Sequence, residues 1–176
     1  MGEKPEEPSY VVITSFNDVE VRRYTSTVQA KVQTVKQASG APSNGFRRVA
    51  RYIFGGNQQG ASIAMTAPVS MWDEGGSGWL AFTMPSAYSI ETLPRPNDAD
   101  VVLVECPEQD VAVLSFSGRT TLAKRARLEQ RLRAAVEQEG LESVGPVVLA
   151  VYENPWTTLP FMRRNELHLR LKRSLE

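Results

Sequence analysis

Alternating apolar and polar residues near the start of the chain predict a β-hairpin and a third strand. Residues 10–16 alternate in this way, a turn is indicated at 17–18, and the alternation resumes at 19–21. Residues 28–32 alternate again, which indicates a strand with one solvated face. The glycines and the proline of residues 40–45 then end the strand pattern.

The spacing of apolar residues next changes to that of a short amphipathic helix. Apolar side chains between 46 and 54 recur at intervals of three and four and form one stripe. Ser43 or Asn44 is the expected N-cap, and Gly55-Gly56 ends the helix. Three arginines lie off the apolar stripe, namely Arg47, Arg48 and Arg51.

A second hairpin is predicted from residues 62–72 and 79–84, on either side of a glycine-rich turn. Strand parity places Met65 and Met71 on the face of the aliphatic residues, so both methionines are expected to pack in the core. Pro68 cannot donate a hydrogen bond to a neighbouring strand, which predicts that this strand lies at a sheet edge or is bulged.

The second half of the chain repeats the order of elements in the first. After a surface connection at 85–100, the pattern predicts two strands, a helix at 121–139 and two further strands. These strands cover residues 101–106, 111–117, 146–152 and 166–172. Nine strands and two helices indicate an α+β fold, in which a curved, largely antiparallel sheet or barrel of two similar halves carries the helices on its outside.

Composition limits the classes of partner. The 176 residues suit one domain, and 20 basic and 20 acidic side chains cancel, so no global charge favours nucleic acid or an anionic membrane. One cysteine and one histidine exclude an internal disulfide and the usual zinc sites. No segment has the pattern of a secretory signal or a stable membrane anchor. We expect residues 1–8 to be a flexible tail before one domain at 9–174.

The residue patterns do not suggest catalysis. No nucleophile-elbow, phosphate-loop, zinc-protease or dinucleotide-binding signature occurs in the sequence, so we expect a non-enzymatic protein. His168 shares its strand face with charged residues that include Glu166, and we expect it to be solvated. Cys106 shares the face of Val102 and Val104 and is expected to be a buried, unreactive thiol.

Two segments carry candidate binding chemistry. The arginines of the first helix form either a solvated face or a clamp for carboxylates, because a guanidinium matches a carboxylate in two parallel hydrogen bonds. The loop at 152–166 holds apolar residues that either fold back on the core as a lid or line a pocket for a flat apolar ligand. A ligand with an apolar body and two carboxylates suits both segments, and haem has that shape.

Three sequence blocks resemble a known family. They are IAMTAPV at 63–69, FTMPS at 82–86 and RRNE at 163–166, and in this order the chain resembles the SOUL haem-binding protein family from about residue 10 to residue 171. The resemblance implies a distorted antiparallel β-barrel of two pseudo-symmetric halves flanked by two helices. It also implies non-covalent binding of b-type haem or protoporphyrin by a carrier, buffer or sensor, in the cytoplasm or, after removal of a transit peptide, in a plastid.

The resemblance further implies where the ligand lies. Haem would occupy a shallow apolar groove between the first helix and the loop before the last strand, with basic side chains near the propionates. The residues carried over to this sequence are Phe46, Arg47, Arg48, Val49, Ala50, Arg51, Tyr52, Leu159, Pro160, Phe161 and Met162. We expect Phe46, Val49 or Ala50 to be shared with the ligand, and Ile53 and Phe54 to be structural. Because no histidine lies near the first helix, the iron ligand stays open.

Two other functions remain open at the level of the sequence. The duplicated architecture is similar to that of bacterial effector-binding domains, which would make the protein a small-molecule or enzymatic module. Such domains carry an acidic residue in a central cleft for cationic ligands, and Glu105 and Glu91 are the candidates. A deep cleft with a buried glutamate would favour that function, whereas a shallow groove at the first helix would favour haem. The third possibility is a protein-interaction module that uses the loop at 156–162.

Overall fold

The computed structural model describes residues 4–34, 44–153, 159 and 162–173. Within them, nine strands and two helices follow the predicted order. The first half contains β1 (Tyr10–Phe16), β2 (Val19–Tyr24), β3 (Thr27–Thr34), α1 (Asn44–Ile53), β4 (Val69–Glu74) and β5 (Ser77–Thr83). The second half contains β6 (Val102–Cys106), β7 (Gln109–Ser117), α2 (Leu122–Gln138), β8 (Ser143–Val151) and β9 (Arg164–Leu171). The predicted α+β class is confirmed.

All nine strands belong to one sheet, in the order β1-β2-β7-β9-β8-β4-β5-β3-β6. Every neighbouring pair is antiparallel. β1 and β6 form its two edges in the part of the chain that the structure describes, so the predicted barrel is open. α1 packs against β3 and β5, and α2 packs against β7, β8 and β9.

The strand order has an internal two-fold pattern, which confirms the two similar halves. The set β4-β5-β3-β6 corresponds to the set β8-β9-β7-β2, and the two sets meet where β4 pairs with β8. Each set ends in a strand from the other half of the chain, since β6 pairs with β3 and β2 pairs with β7. This exchange of strands joins two halves with different sequences into one sheet.

Each helix covers its own apolar core. α2 buries Leu128, Leu132 and Val136 against the sheet, as its spacing predicts. α1 buries Val49 and Ile53 against the strands of the first half. A fully buried side chain of this size contributes about 1.5–3 kcal/mol relative to an exposed one, so the apolar stripes hold both helices on the sheet.

The chain before β4 differs from the predicted strand. Residues 61–68 form only isolated bridges, and the strand begins at Val69. β4 lies in the middle of the sheet, so the prediction of an edge or a bulge at Pro68 was wrong; the strand starts after the proline, which has no amide hydrogen. Met71 packs against both cores as expected. Met65 is 41% exposed, because the parity of a continuous strand does not apply before residue 69.

Candidate functional site

The solvent side of α1 carries two cations and an aromatic ring. Arg47 and Arg51 are exposed and one helical turn apart, and Phe54 follows at the next turn with 64% of its surface exposed. The Phe54 amide still donates to the carbonyl of Ala50, which is partly exposed beside the arginines. We call these four residues the exposed stripe of α1. Neither Arg47 nor Arg51 forms an ion pair within the described residues, so both guanidinium groups are accessible to a ligand.

Two residues predicted to contact the ligand lie in the core of the structure. Val49 is 0% exposed and Tyr52 is 1% exposed. The Tyr52 hydroxyl donates to the Pro94 carbonyl at 2.7 Å, and burial raises the pKa of Tyr52 to about 12, so the phenol stays protonated. Phe46 is partly buried and packs edge-on against Phe82, with the ring centroids 5.5 Å apart. These contacts position α1 on the sheet.

Arg48 is held by carboxylates from the connection between β5 and β6. Its Nε and Nη2 donate to the two carboxylate oxygens of Asp98 at 2.7 and 2.8 Å, and Nη2 also donates to Asp100 at 2.7 Å. The hydrogen bonds from Arg48 hold the pKa of Asp98 below its usual range. A ligand carboxylate at Arg48 would have to compete with these two side chains, whereas at Arg47 and Arg51 it would not.

Phe54 does not have the structural role that its spacing predicted. The expectation that it lies in the core is wrong, because α1 ends at Ile53 and Phe54 continues into an isolated bridge with Ser62. The ring therefore lies on the surface at the end of the exposed stripe. Ile53, the other residue expected to be structural, is 1% exposed and packs in the core as predicted.

The loop before β9 also presents apolar side chains to solvent. Leu159 is 57% exposed and Met162 is 62% exposed. Pro160 and Phe161, the other two loop residues predicted to contact the ligand, lie outside the described residues. The described part of the loop therefore supplies an exposed apolar surface, which is what a flat apolar ligand requires.

Residues 6–9, which we call the N-terminal strap, connect this loop with the segment before β4. Glu6 forms a parallel bridge with Thr66, and the adjacent Glu7 forms an ion pair with Arg164 at the start of β9. Glu6 and Glu7 are consecutive residues, and consecutive Cα atoms are about 3.8 Å apart. Their partners, Thr66 before β4 and Arg164 at the start of β9, are therefore held close together.

The end of α1 depends on a glycine. A Cβ at Gly56 would lie 2.5 Å from the Arg51 carbonyl oxygen, which accepts the Gly56 amide at 2.8 Å. We expect Gly56→Ala to lower the free energy of unfolding in urea by about 1–3 kcal/mol, since backbone must shift. Gly60→Ala is the control, because Gly60 has φ of +60° with no atom within 4 Å of its added Cβ, and we expect a loss of about 1 kcal/mol there. A loss at Gly56 no larger than this would contradict the steric argument.

A buried ion pair lies on the sheet face opposite the α2 core. Nη1 and Nη2 of Arg22 donate to the two carboxylate oxygens of Glu166 at 3.0 and 2.9 Å, and the two side chains are 6% and 4% exposed. The Tyr152 hydroxyl donates to the same carboxylate at 2.5 Å, and His168 Nε2 lies 2.9 Å from it. Since an ionised carboxylate only accepts, His168 Nε2 carries the hydrogen. We call these four residues the Glu166 cluster.

The Glu166 cluster corrects the prediction for His168. Strand parity places His168 on the polar face as expected, but its side chain is 17% exposed, and its ring packs 5.8 Å from that of Tyr24. The face is polar and buried because Arg22 and Glu166 neutralise each other there. A solvated histidine was therefore the wrong expectation.

Electrostatics make Glu166 a poor site for a cationic ligand. Burial by itself would raise the pKa of Glu166, but the hydrogen bonds from His168 and Arg22 outweigh burial and hold that pKa well below its usual range. The carboxylate is thus ionised, and Arg22 balances its charge. A buried glutamate of the kind sought for an effector-binding domain is present, but it offers no uncompensated charge. Of the two acidic residues named for that role from the sequence, both Glu91 and Glu105 are exposed.

A family model for the SOUL heme-binding protein matches residues 5–170, which include α1, both strap glutamates and most of β9. The chain belongs to the SOUL family. Two relatives are called Heme-binding protein 2. The one from Homo sapiens is 30% identical over 130 residues, which are 69% of this chain and 62% of that protein. The one from Mus musculus is 30% identical over 137 residues, which are 73% of this chain and 65% of that protein. The chain thus spans less than two thirds of the length of these relatives.

Solved structures share the fold of this SOUL-family chain with little sequence identity. An uncharacterized conserved protein from Listeria innocua has a TM-score of 0.63 at 11% identity, covering 96% of this chain and 94% of that chain. A hydrolase from Listeria innocua has a TM-score of 0.60 at 13% identity, covering 88% and 92%. The EcmrR C-terminal domain has a TM-score of 0.64 at 8% identity, covering 89% and 98%. At these identities the likeness establishes the fold alone.

The side chains of the candidate site complement the body of a tetrapyrrole better than its metal. The exposed stripe and the loop before β9 offer apolar surface and two guanidinium groups, which complement a flat ring with carboxylates. The chain has one histidine, and it is bound in the Glu166 cluster. In the described ranges no three His, Cys, Asp or Glu side chains are grouped to hold a metal ion. No described helix is both long and apolar enough to cross a membrane.

Proposed function

We propose that this chain binds haem or a related tetrapyrrole, non-covalently and without catalysis, at the exposed stripe of α1 and the loop before β9. One observation carries the proposal. A single helix face presents two accessible guanidinium groups and an exposed phenyl ring, in a chain that belongs to the SOUL heme-binding protein family. Two relatives with the name Heme-binding protein 2 add support.

Each side chain of the proposed site has a distinct role. Arg47 and Arg51 pair with the propionates, while Arg48 stays with its aspartates. Val49 and Tyr52 hold α1 in place from the core side. The remaining members of the site supply apolar contact, and they are Phe46, Ala50, Phe54, Leu159, Pro160, Phe161 and Met162. When bound, haem would supply the flat ring and the carboxylates that this surface complements.

The expected affinity follows from the exposed position of the site. Covering apolar surface contributes about 25 cal/mol per Å², but the loss of translational and rotational freedom and the desolvation of the propionates oppose binding. We therefore expect a dissociation constant in roughly the micromolar to submicromolar range. Such binding is reversible, which suits a carrier, buffer or sensor better than a permanently bound group. We place this role in the cytoplasm, or in a plastid if a transit peptide has been removed.

The absence of a nearby histidine leads to a prediction about iron. We expect hemin and metal-free protoporphyrin IX to bind with dissociation constants within about threefold of each other, because apolar contact and the arginines, and no imidazole, hold the ligand. Titration of the apo protein, followed by the Soret band and by tryptophan fluorescence, measures both constants.

Two outcomes of this titration would contradict the proposal. If neither porphyrin changes the Soret band or the fluorescence, the chain does not bind tetrapyrroles. If hemin binds more than about tenfold tighter than protoporphyrin IX, a protein ligand to iron contributes, at about 1.4 kcal/mol or more. His168→Gln is the control for the second outcome, and we expect its hemin spectrum to match that of the parent protein.

A catalytic function has less support, although two structural neighbours are called hydrolases. The strongest candidate for catalysis is the Glu166 cluster, since it is buried and contains a histidine and an acid. All of its carboxylate hydrogen bonds are made within the protein, and Arg22 neutralises its charge. A general base or nucleophile needs an accessible lone pair, so we propose a binding protein.

A further inference from the structure

A cavity of about 610 Å³ lies where the ends of β5 and β6 meet the start of β3. The N-terminal strap, the turn between β2 and β3 and the connection after β5 complete its walls. Its volume falls within the range of roughly 300–1,000 Å³ that is typical of small-molecule sites. No residue of α1 and no described residue of the loop before β9 lines it, so the cavity is separate from the proposed tetrapyrrole surface.

The strap that closes the cavity is fixed at both ends. The Glu6 carbonyl accepts the Ala67 amide at 2.9 Å, and Glu6 Oε1 accepts the Ser86 amide at 3.0 Å. At the other end, the Ser9 carbonyl accepts the Thr25 amide at 3.1 Å. These bonds join the strap to the walls on both sides, so the cavity is a formed feature of the fold.

The charges on the cavity wall have one sign. Glu6, Glu7 and Glu105 line it, and no lysine, arginine or histidine among the described residues does. Lys4 and Arg164 form ion pairs with Glu7 and balance its charge. Glu6 and Glu105 are both exposed, at the solvent side of the cavity, and neither forms an ion pair among the residues that the structure describes, so two carboxylates there have no cationic partner. An anionic ligand would be repelled here, and a cationic ligand would be attracted.

Two hydroxyl groups of the wall also favour a hydrogen-bond donor. The Thr66 hydroxyl donates to the Thr83 carbonyl, and the Thr25 hydroxyl donates to the Ser9 carbonyl at 3.4 Å. Both hydroxyls have therefore given their hydrogen to the wall and can only accept from a ligand. An ammonium group has three donors and no acceptor, so it matches a wall of carboxylates and accepting hydroxyls.

The rest of the wall suits an apolar or aromatic body. Met84, Tyr88 and Ile90 line the cavity on the side of the connection after β5. An aromatic face and a thioether both make favourable contacts with hydrocarbon, and a phenol ring also attracts a cation above its face. The wall thus combines an apolar side with two uncompensated carboxylates.

We propose that this cavity binds an organic amine, that is, one ammonium group on a compact hydrocarbon or aromatic body. The site lies apart from the tetrapyrrole surface and does not depend on the function proposed there. Glu6 and Glu105 contact the ammonium group, and the wall at Met84 and Tyr88 contacts the body.

Cys106 gives a direct readout, because it lines the cavity and is the one cysteine of the chain. Burial raises the pKa of the Cys106 thiol. The charges of Lys31 and Arg170, which lie near the thiol without lining the cavity, lower this pKa, but burial has the larger effect. Modification by a thiol reagent is therefore slow at neutral pH and is followed at about pH 8.5, close to the ordinary pKa of a thiol.

The test compares three probes of nearly equal size on the unchanged protein. They are 2-phenylethylamine, which is a cation, 2-phenylethanol, which is neutral, and phenylacetate, which is an anion. We expect the amine to slow the modification of Cys106 and to reach half-protection at a concentration at least about tenfold lower than the alcohol or the acid. Equal protection by the three probes, or no protection by the amine at millimolar concentrations, overturns the proposal.

The double variant Glu6→Gln/Glu105→Gln assigns the effect to the two carboxylates. We expect it to raise the concentration of amine needed for half-protection by about tenfold or more. The control is Glu137→Gln, which removes one negative charge from the exposed surface of α2, and we expect it to have no effect. Unchanged protection in the double variant overturns the proposal. If the double variant loosens the strap, the comparison of the three probes on the unchanged protein decides by itself. Protection of Cys106 by hemin at its own binding concentration would place the tetrapyrrole in the cavity and also overturn it.

Discussion

Replacing Arg47 and Arg51 together by alanine is expected to weaken hemin binding by about tenfold while changing the free energy of unfolding by less than about 0.5 kcal/mol. Each arginine contributes a charge-assisted hydrogen bond to a propionate on a partly solvated surface, where one such bond contributes about 0.2–1 kcal/mol. Two of them account for roughly a factor of ten. Because both side chains are exposed and make no ion pair within the described residues, the fold does not depend on them.

The matched control removes two arginines elsewhere. Arg119 and Arg127 are exposed, and neither belongs to α1 or to the loop before β9. Their joint replacement by alanine changes the net charge equally, so we expect an effect of less than about twofold on hemin affinity. If both double variants weaken binding equally, the arginines act through net charge and not through pairing. Added salt provides a second measurement, since screening should reduce the difference between the parent protein and the Arg47/Arg51 variant.

The exposed stripe of α1 could be predicted from the sequence only in part. The interval of apolar residues located the helix and showed that the arginines lie off its buried side, because helix periodicity is a local property. Phe54 continued that periodicity and was therefore assigned to the core. The helix ends one residue earlier, and the chain turns away at the glycines that follow, so the ring faces solvent. The position of the helix end therefore decided whether Phe54 lies in the core or on the surface, where we propose that it contacts the ligand.

The Glu166 cluster could not be predicted, because its members come from distant strands. Arg22 and Glu166 are separated by 144 residues, and they meet because β2 leaves its own half of the chain to pair with β7, which in turn pairs with β9. Strand parity identified the polar face of β9 correctly. It could not show that another strand supplies a cation to that face. The block RRNE, which contains Glu166, was the one signal in the sequence that this residue matters.

Replacing Glu166 by glutamine is expected to lower the free energy of unfolding by about 3–5 kcal/mol, the largest loss among the changes considered. Glutamine keeps the size of the side chain, but it removes the buried counter-charge of Arg22 and leaves the guanidinium only its ion pair with Glu20, whose side chain is 39% exposed. Urea denaturation at pH 7 measures the loss. Arg22→Met/Glu166→Gln removes both buried charges, and we expect it to be more stable than Glu166→Gln alone, since no buried guanidinium is left with only a partly exposed partner.

The neighbouring residue of β2 provides a matched exposed ion pair. Nε and Nη2 of Arg23 donate to the two carboxylate oxygens of Asp110 at 2.8 and 3.1 Å, and the cation of this pair is the exposed partner, since the Arg23 side chain is 45% exposed and that of Asp110 is 15% exposed. We expect Asp110→Asn to cost less than about 1 kcal/mol, because water solvates the exposed Arg23 guanidinium when the Asp110 carboxylate is removed. Equal losses in Asp110→Asn and Glu166→Gln would contradict the argument that burial decides the effect.

The stability difference between the parent protein and Glu166→Gln should itself depend on pH. The pKa of Glu166 in the folded state lies below its value of 4.5 in the unfolded chain, so the unfolded state takes up a proton first as the pH falls. The stabilisation from ionised Glu166 is therefore fully present above about pH 5 and is lost progressively below it. Carboxylates that do not contact Arg22 titrate alike in both proteins and cancel in the difference. Glu20, which also pairs with Arg22, is replaced by glutamine in both proteins for this measurement. We expect the difference measured in urea to be constant between pH 7 and about pH 5 and to shrink by pH 3. A difference that stays constant to pH 3 would mean that Glu166 has the same pKa in the folded and unfolded states. Its buried pairing with Arg22 would then not stabilise the fold.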